Sequence, residues 1–106
     1  MITSSKANEK QKKEFEIISD KNIRYTLTII FEEGLYITIS ASENNNLLNK
    51  SFSCKYTLDQ LKGNKYFTLF DNLKEIYIEL IDRISNNATL KEYNNKLFLT
   101  ISLPIS

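Results

Sequence analysis

The stretch YTLDQLKGNKYFTLFDN, residues 56–72, decides how the rest of the chain is read. Thr57 and Gln60 have the spacing of a capping box. The hydroxyl takes an orphan amide at a helix start, and the longer side chain bonds back to the cap. A short helix is expected from there, and Gly63 is placed to stop it, because glycine enters the left-handed conformation of a helix end without a Cβ clash. Asn72 and Glu75 repeat the capping logic. Beyond them Leu73, Ile76, Tyr77, Leu80, Ile81 and Ile84 recur at helical spacing and form one apolar stripe, which Asn86 and Asn87 close. The stretch is therefore a helix-turn-helix connector, and its aromatics Tyr66, Phe67 and Phe70 are expected to plug it onto a sheet.

Upstream of the connector the period changes from helical to alternating. Residues 25–31 place Tyr25, Leu27, Ile29 and Phe31 on one face, with Thr26, Thr28 and Ile30 on the other, as in a half-buried strand. Glu32, Glu33 and Gly34 supply a tight connection, after which Leu35, Ile37, Ile39 and Ala41 continue the row in an antiparallel partner. A shorter strand is expected over residues 15–19. Another is expected over Ser51–Tyr56, with Phe52, Cys54 and Tyr56 facing one way and Cys54 a buried, inert thiol.

Downstream, residues 89–93 and 96–103 flank Asn94 and Asn95, a pair that tolerates the positive φ angles of a hairpin turn. Leu97, Leu99, Ile101 and Leu103 make the inward row, and Pro104 ends the ladder because it lacks a donor. Residues 1–13 read as a disordered basic lead-in and residues 14–106 as a single globular domain. The order is four strands, two helices and two strands. The fold class is thus α+β: a mainly antiparallel sheet or partly closed barrel with an inserted helix-turn-helix, all the apolar rows wrapping into a single sheet that the helices seal.

Composition limits the chemistry. The 106 residues suffice for one core, and 42% hydrophobic with 25% charged residues is ordinary for a globular chain. No apolar run is long enough to span a bilayer and no secretory leader is legible, so a cytosolic, cytoskeletal or nuclear setting is expected. The Asn-x-Ser/Thr triplets at Asn49 and Asn87 carry little weight in that setting. Net charge is +1, and only Arg24 and Arg83 among the 14 basic residues are arginine, which disfavours a reader of nucleic acid. One cysteine and no histidine remove internal disulfides, the commonest metal ligand and the commonest general base.

No phosphate loop or nucleophile set is present, and the adjacent Glu32 and Glu33 point to opposite sides. The aromatics of NKYF, residues 64–67, could stack bases, but the core claims them first. No catalytic residue, cofactor or metal is expected, and the chain reads as non-enzymatic.

Taken together, SFSCKYTLDQL, the helix NLKEIYIELIDRI and the closing hairpin ATLKEYNNKLFLTISLPI resemble the globular head shared by the centriolar cartwheel protein and the end-joining repair scaffold. The same order is similar to a head that precedes coiled coils in ciliates and other protists. The resemblance covers residues 15–105. It implies a small β-barrel head with an inserted helix-turn-helix, acting in a cytoskeletal or centriolar scaffold through protein partners and weak homo-oligomerisation, without a membrane. The alternative it leaves is a repair-type head working beside DNA through Lys6, Lys10, Lys12 and Lys13.

In cartwheel heads an apolar residue near the late hairpin turn enters a neighbour's pocket. The matching positions here are Tyr93, Asn94 and Asn95, the expected partner interface. Heptads follow such heads and none occurs up to Ser106, so the residues are expected to be either an excised head or a head without the dimerising coil, the second of which leaves constitutive dimerisation open.

Overall fold

A computed structural model of the chain describes residues 9–44 and 50–103. Its central element is β2, Arg24–Glu32, in which Tyr25, Leu27, Ile29 and Phe31 are each 1% exposed or less. Each such side chain removed from water contributes roughly 1.5–3 kcal/mol. β1, Lys10–Ile18, and β3, Tyr36–Glu43, flank β2 antiparallel, and β4, Ser51–Tyr56, pairs with β3 at the edge. Gly34 makes the β2–β3 turn at φ +76°, a conformation that strains any side chain.

Register extends the buried rows across the sheet. Leu27 aligns with Phe15 and Ala41, and Ala41 with Phe52; Ile29 aligns with Ile39, and Ile39 with Cys54; Phe31 aligns with Ile37, and Ile37 with Tyr56.

The connector lies on this face. Thr57 and Gln60 form the expected capping box at α1, Leu58–Leu61, with Gln60 N–H to Thr57 Oγ1 at 3.3 Å and Thr57 N–H to Gln60 Oε1 at 2.8 Å. A 3-10 helix, Lys65–Leu69, follows and buries Phe67. α2, Leu73–Asn86, then crosses β2 and β3 with Leu73, Ile76, Tyr77, Leu80 and Ile84 buried. Tyr77 stacks on Phe31 with ring centroids 5.5 Å apart. At its start Asn72 accepts the Glu75 amide at 3.0 Å, while the Glu75 carboxylate takes the amide of Asp71 at 2.9 Å, so the return bond reaches one residue before the cap.

The last strands, β5 (Ala88–Tyr93) and β6 (Lys96–Ile101), form a hairpin whose turn holds Asn94 at φ 51° and Asn95 at φ 59°, as expected. Its Leu90 enters the common core.

The hairpin is its own two-stranded sheet, which corrects the expectation of a single one. A single parallel bridge, Ser19 with Leu90, joins it to the four-stranded sheet. Around that bridge the Asp20 amide donates to Leu90 O at 2.9 Å, the Glu92 amide to Asp20 Oδ1 at 2.9 Å and the Ser19 hydroxyl to Glu92 Oε2 at 2.8 Å. The seam is built from a turn and its side chains, so it does not propagate as a strand ladder, and the sheets do not close into a barrel. The α+β class and the order of four strands, helices and two strands hold.

Three local features also differ from expectation. β1 begins at Lys10, not near residue 15, because pairing along the whole of β2 extends it through Lys10, Lys12 and Lys13, whose side chains stay in water. Those residues were expected in the lead-in; residues 1–8 of it lie outside the described residues, as do Asn49 and Pro104. Leu35 lies exposed in the turn rather than in β3. Gly63 ends α1 without a left-handed φ: its amide donates to Gln60 O at 3.2 Å, and a Cβ there would stand 3.1 Å from that oxygen. Close approach, not a special φ, is what favours glycine at that position.

Within the core, the Tyr25 hydroxyl is buried with no hydrogen-bond partner. Burial, then the carboxylates of Glu92 and Glu43, push its pKa up to about 12. A raised folded pKa on an acid stabilises the fold only while both states are protonated, so the contribution falls between pH 10, the ordinary value, and about 12. Tyr25→Phe, which removes the orphan group, is expected to leave urea stability at pH 7 unchanged or raised by up to about 1 kcal/mol. It should also make the loss above pH 10 shallower by about 1.4 kcal/mol per pH unit. A loss of stability at pH 7 would mean that the hydroxyl is bonded.

Candidate functional site

The same register that builds the core leaves part of it open. Along the row Ile29, Ile39 and Cys54 the side chains pass from buried through half-buried to exposed, because α2 covers β2 and β3 and no described element lies over Cys54. Cys54 is therefore an exposed thiol, which corrects the expectation that it is buried. β4 could not show this in sequence, since its alternation fixes which way Cys54 points and not whether anything lies above it.

The result is a groove of about 480 Å³. Leu27, Ile39 and Ala41 form its floor; Phe52, Cys54 and Tyr56 of β4 form one wall, and Leu97, Leu99 and Ile101 of β6 the other. Strand sense follows from the pairings. β4 runs with β2, because each is antiparallel to β3; β5 runs with β1 through the parallel bridge, so β6 also runs with β2. The two walls are thus parallel edge strands that start at the same end.

That end is the mouth of a second cavity, of about 340 Å³, which shares Phe52 with the groove and carries Lys21, Lys50, Lys96 and Glu92. Tyr93 and Asn95 line this mouth as well, while Asn94 is not among its residues. Tyr93 is 60% exposed. Asn94 and Asn95 have a backbone task there, since both supply the left-handed angles of the turn.

The far end is closed by the connector. Leu61 and Phe67 reach the groove beside Leu80, and the 3-10 helix is fastened to α2 through Tyr66. The Tyr66 hydroxyl donates to Glu79 Oε2 at 2.5 Å, and Arg83 Nε donates to the same oxygen at 2.7 Å. The hydrogen bond from Tyr66, then that from Arg83, hold the Glu79 carboxyl below its ordinary range. Tyr66 also stacks edge-on against Phe67 and Phe70, each with ring centroids at 5.6 Å. The aromatics of the connector plug the sheet as the sequence suggested.

What the site can do follows from its lining. Its walls are mostly apolar, and the titratable side chains among them are Cys54 and Tyr56. Among the described residues no group of three or more His, Cys, Asp or Glu is placed to hold a metal, and no helix is long and apolar enough to cross a membrane. Comparison of the chain with family models, with characterised proteins and with solved structures finds no match.

Two outcomes follow from this geometry. In the native state Cys54 is expected to react with a small disulfide reagent within about tenfold of the rate of an unstructured thiol at the same pH; reaction only on unfolding would mean that the groove is covered. A depressed carboxyl pKa stabilises the fold fully above the unfolded value of 4.5, and this contribution is lost as pH falls below it. Glu79→Gln is therefore expected to lower stability at neutral pH and to flatten the decline below pH 4.5. An unchanged acid limb in chemical denaturation would contradict the Tyr66–Glu79–Arg83 linkage.

Proposed function

We propose that the chain is a non-enzymatic protein–protein interaction domain, the head of a scaffold. The groove carries this reading: its surface is mostly apolar, it is flanked by strand edges that no described strand pairs, and it presents Cys54 and Tyr56 as its titratable groups. General acid–base chemistry needs groups poised to exchange protons with a substrate near neutral pH, whereas an apolar concavity with few polar points suits packing against another chain. Tyr93 adds an anchor of the kind that interfaces favour, with large area and few rotatable bonds.

The cytoskeletal, centriole or basal-body setting rests on the resemblance in element order, as does contact between heads through the Tyr93 tip. Tyr93 with Asn94 and Asn95 forms the contacting turn in that reading. Asn94 and Asn95 supply the left-handed angles that place Tyr93 at the end of the hairpin, where it is 60% exposed.

Sedimentation at high protein concentration tests the self-assembly. Weak, concentration-dependent association is expected for the wild type and a monomer for Tyr93→Glu, with the substitution changing stability by no more than about 0.5 kcal/mol. A strictly monomeric wild type would contradict it. Salt-sensitive binding of duplex DNA that requires Lys10, Lys12 and Lys13 would favour the repair-type head instead.

A further inference from the structure

β4 and β6 border the groove, each with one edge unpaired by any described strand, and both run in the same sense. A strand laid between them in the opposite sense would form antiparallel ladders on both sides, the more stable of the two pairings. Its inward side chains would meet Phe52, Tyr56, Leu97, Leu99 and Ile101, an apolar lining that asks for an apolar residue at every second position.

The outward row meets a different surface. On that face β4 presents Ser51, Ser53 and Lys55, and β6 presents Lys96, Phe98 and Thr100; neither strand contains a carboxylate. Phe98 is 47% exposed there. Where the inserted strand would end, the mouth adds Lys21 and Lys50, and its one carboxylate, Glu92, already accepts the Ser19 hydroxyl at 2.8 Å. Each edge carries a lysine and no carboxylate, so a second copy paired through β4 or β6 offers it no opposite charge, whereas a negatively charged strand does.

Resting on the reading of the domain as a protein binder, the geometry points to a strand-addition site between β4 and β6, whose occupant is an extended segment of a different protein that alternates apolar and acidic residues. This chain has such an alternation in Glu14, Phe15, Glu16 and Ile17. It lies in β1 and is paired along its length with β2, so a second copy could lend it only by giving up that ladder.

The probe is a synthetic peptide of about eight residues alternating valine and glutamate, compared with the same peptide carrying lysine for glutamate and with a version N-methylated at alternate amides. The full, unlabelled chain is titrated with each, followed by amide chemical shifts. Three results together support the site. The acidic peptide perturbs β4 and β6, it binds at least about tenfold more tightly than the basic one, and N-methylation abolishes binding. Lys55→Glu with Lys96→Glu, both at exposed positions, should reverse the charge preference.

Equal affinity for both charge forms, or shifts confined to other elements, would overturn it. So would a wild-type dimer whose contact maps to β4 and β6, since the occupant would then be a second copy. Self-association through Tyr93 with no uptake of the acidic peptide would sink this inference alone, whereas loss of both would remove the interaction reading itself.

Discussion

The hydrogen bonds that clip the β1–β2 turn to β5 fix where the two sheets are joined and therefore where they stay apart. Ser19 is 5% exposed and satisfies its hydroxyl in several directions: it donates to Glu92 and accepts the amides of Lys21 at 3.2 Å and Ile23 at 3.3 Å. Asp20 binds β5 with its amide and, through its carboxylate, the amide of Glu92. Of these groups Ser19 is buried, Glu92 half-buried and Asp20 exposed, so the bond whose loss costs most is that of the Ser19 hydroxyl, which would be left without its acceptor in a poorly solvated place. With the hairpin pinned on the β1 side, β6 and β4 become the two outer strands, and their parallel sense follows from the pairings.

Packing explains why the gap is a groove and not a second core. α2 spends its apolar stripe on the middle of the four-stranded sheet, where Ile76 and Phe31 are fully enclosed. The connector uses Phe67 and Leu61 at one end. No further element remains among the described residues to lie over Cys54, and Leu97, Leu99 and Ile101 stay half-buried on the facing wall. The apolar side chains of the two walls therefore stay partly open to solvent. The groove's two lysine-bearing edges limit what can use it, since they oppose like-charged strands and leave backbone donors and acceptors available.

Much of this fold is legible in the sequence, because the signals are local. The alternation of Tyr25 to Phe31, the capping box at Thr57, the stripe from Leu73 to Ile84 and the paired asparagines at the hairpin turn each follow from the conformation that a few neighbouring residues prefer. What the sequence does not carry is how the elements face one another. The extent of β1 depends on its partner strand, the separation into two sheets depends on Ser19 and Asp20 meeting residues about seventy positions away, and the exposure of Cys54 depends on where a helix happens to end its coverage. The groove was missed for that reason. SFSCKY carries no trace of it, since its share of apolar and aromatic residues equals that of β3.

Native-state amide hydrogen exchange tests directly whether the two sheets are joined at Ser19 and Leu90 and open between β4 and β6. The amides of Asp20 and Glu92 are expected to exchange as slowly as those of β2, while the alternate amides of β4 and β6 that point away from β3 and β5 exchange at rates near those of exposed turns. Uniform protection along both β4 and β6 would mean a closed barrel. Loop-like exchange at Asp20 and Glu92 would mean that the hairpin is not held where this account places it.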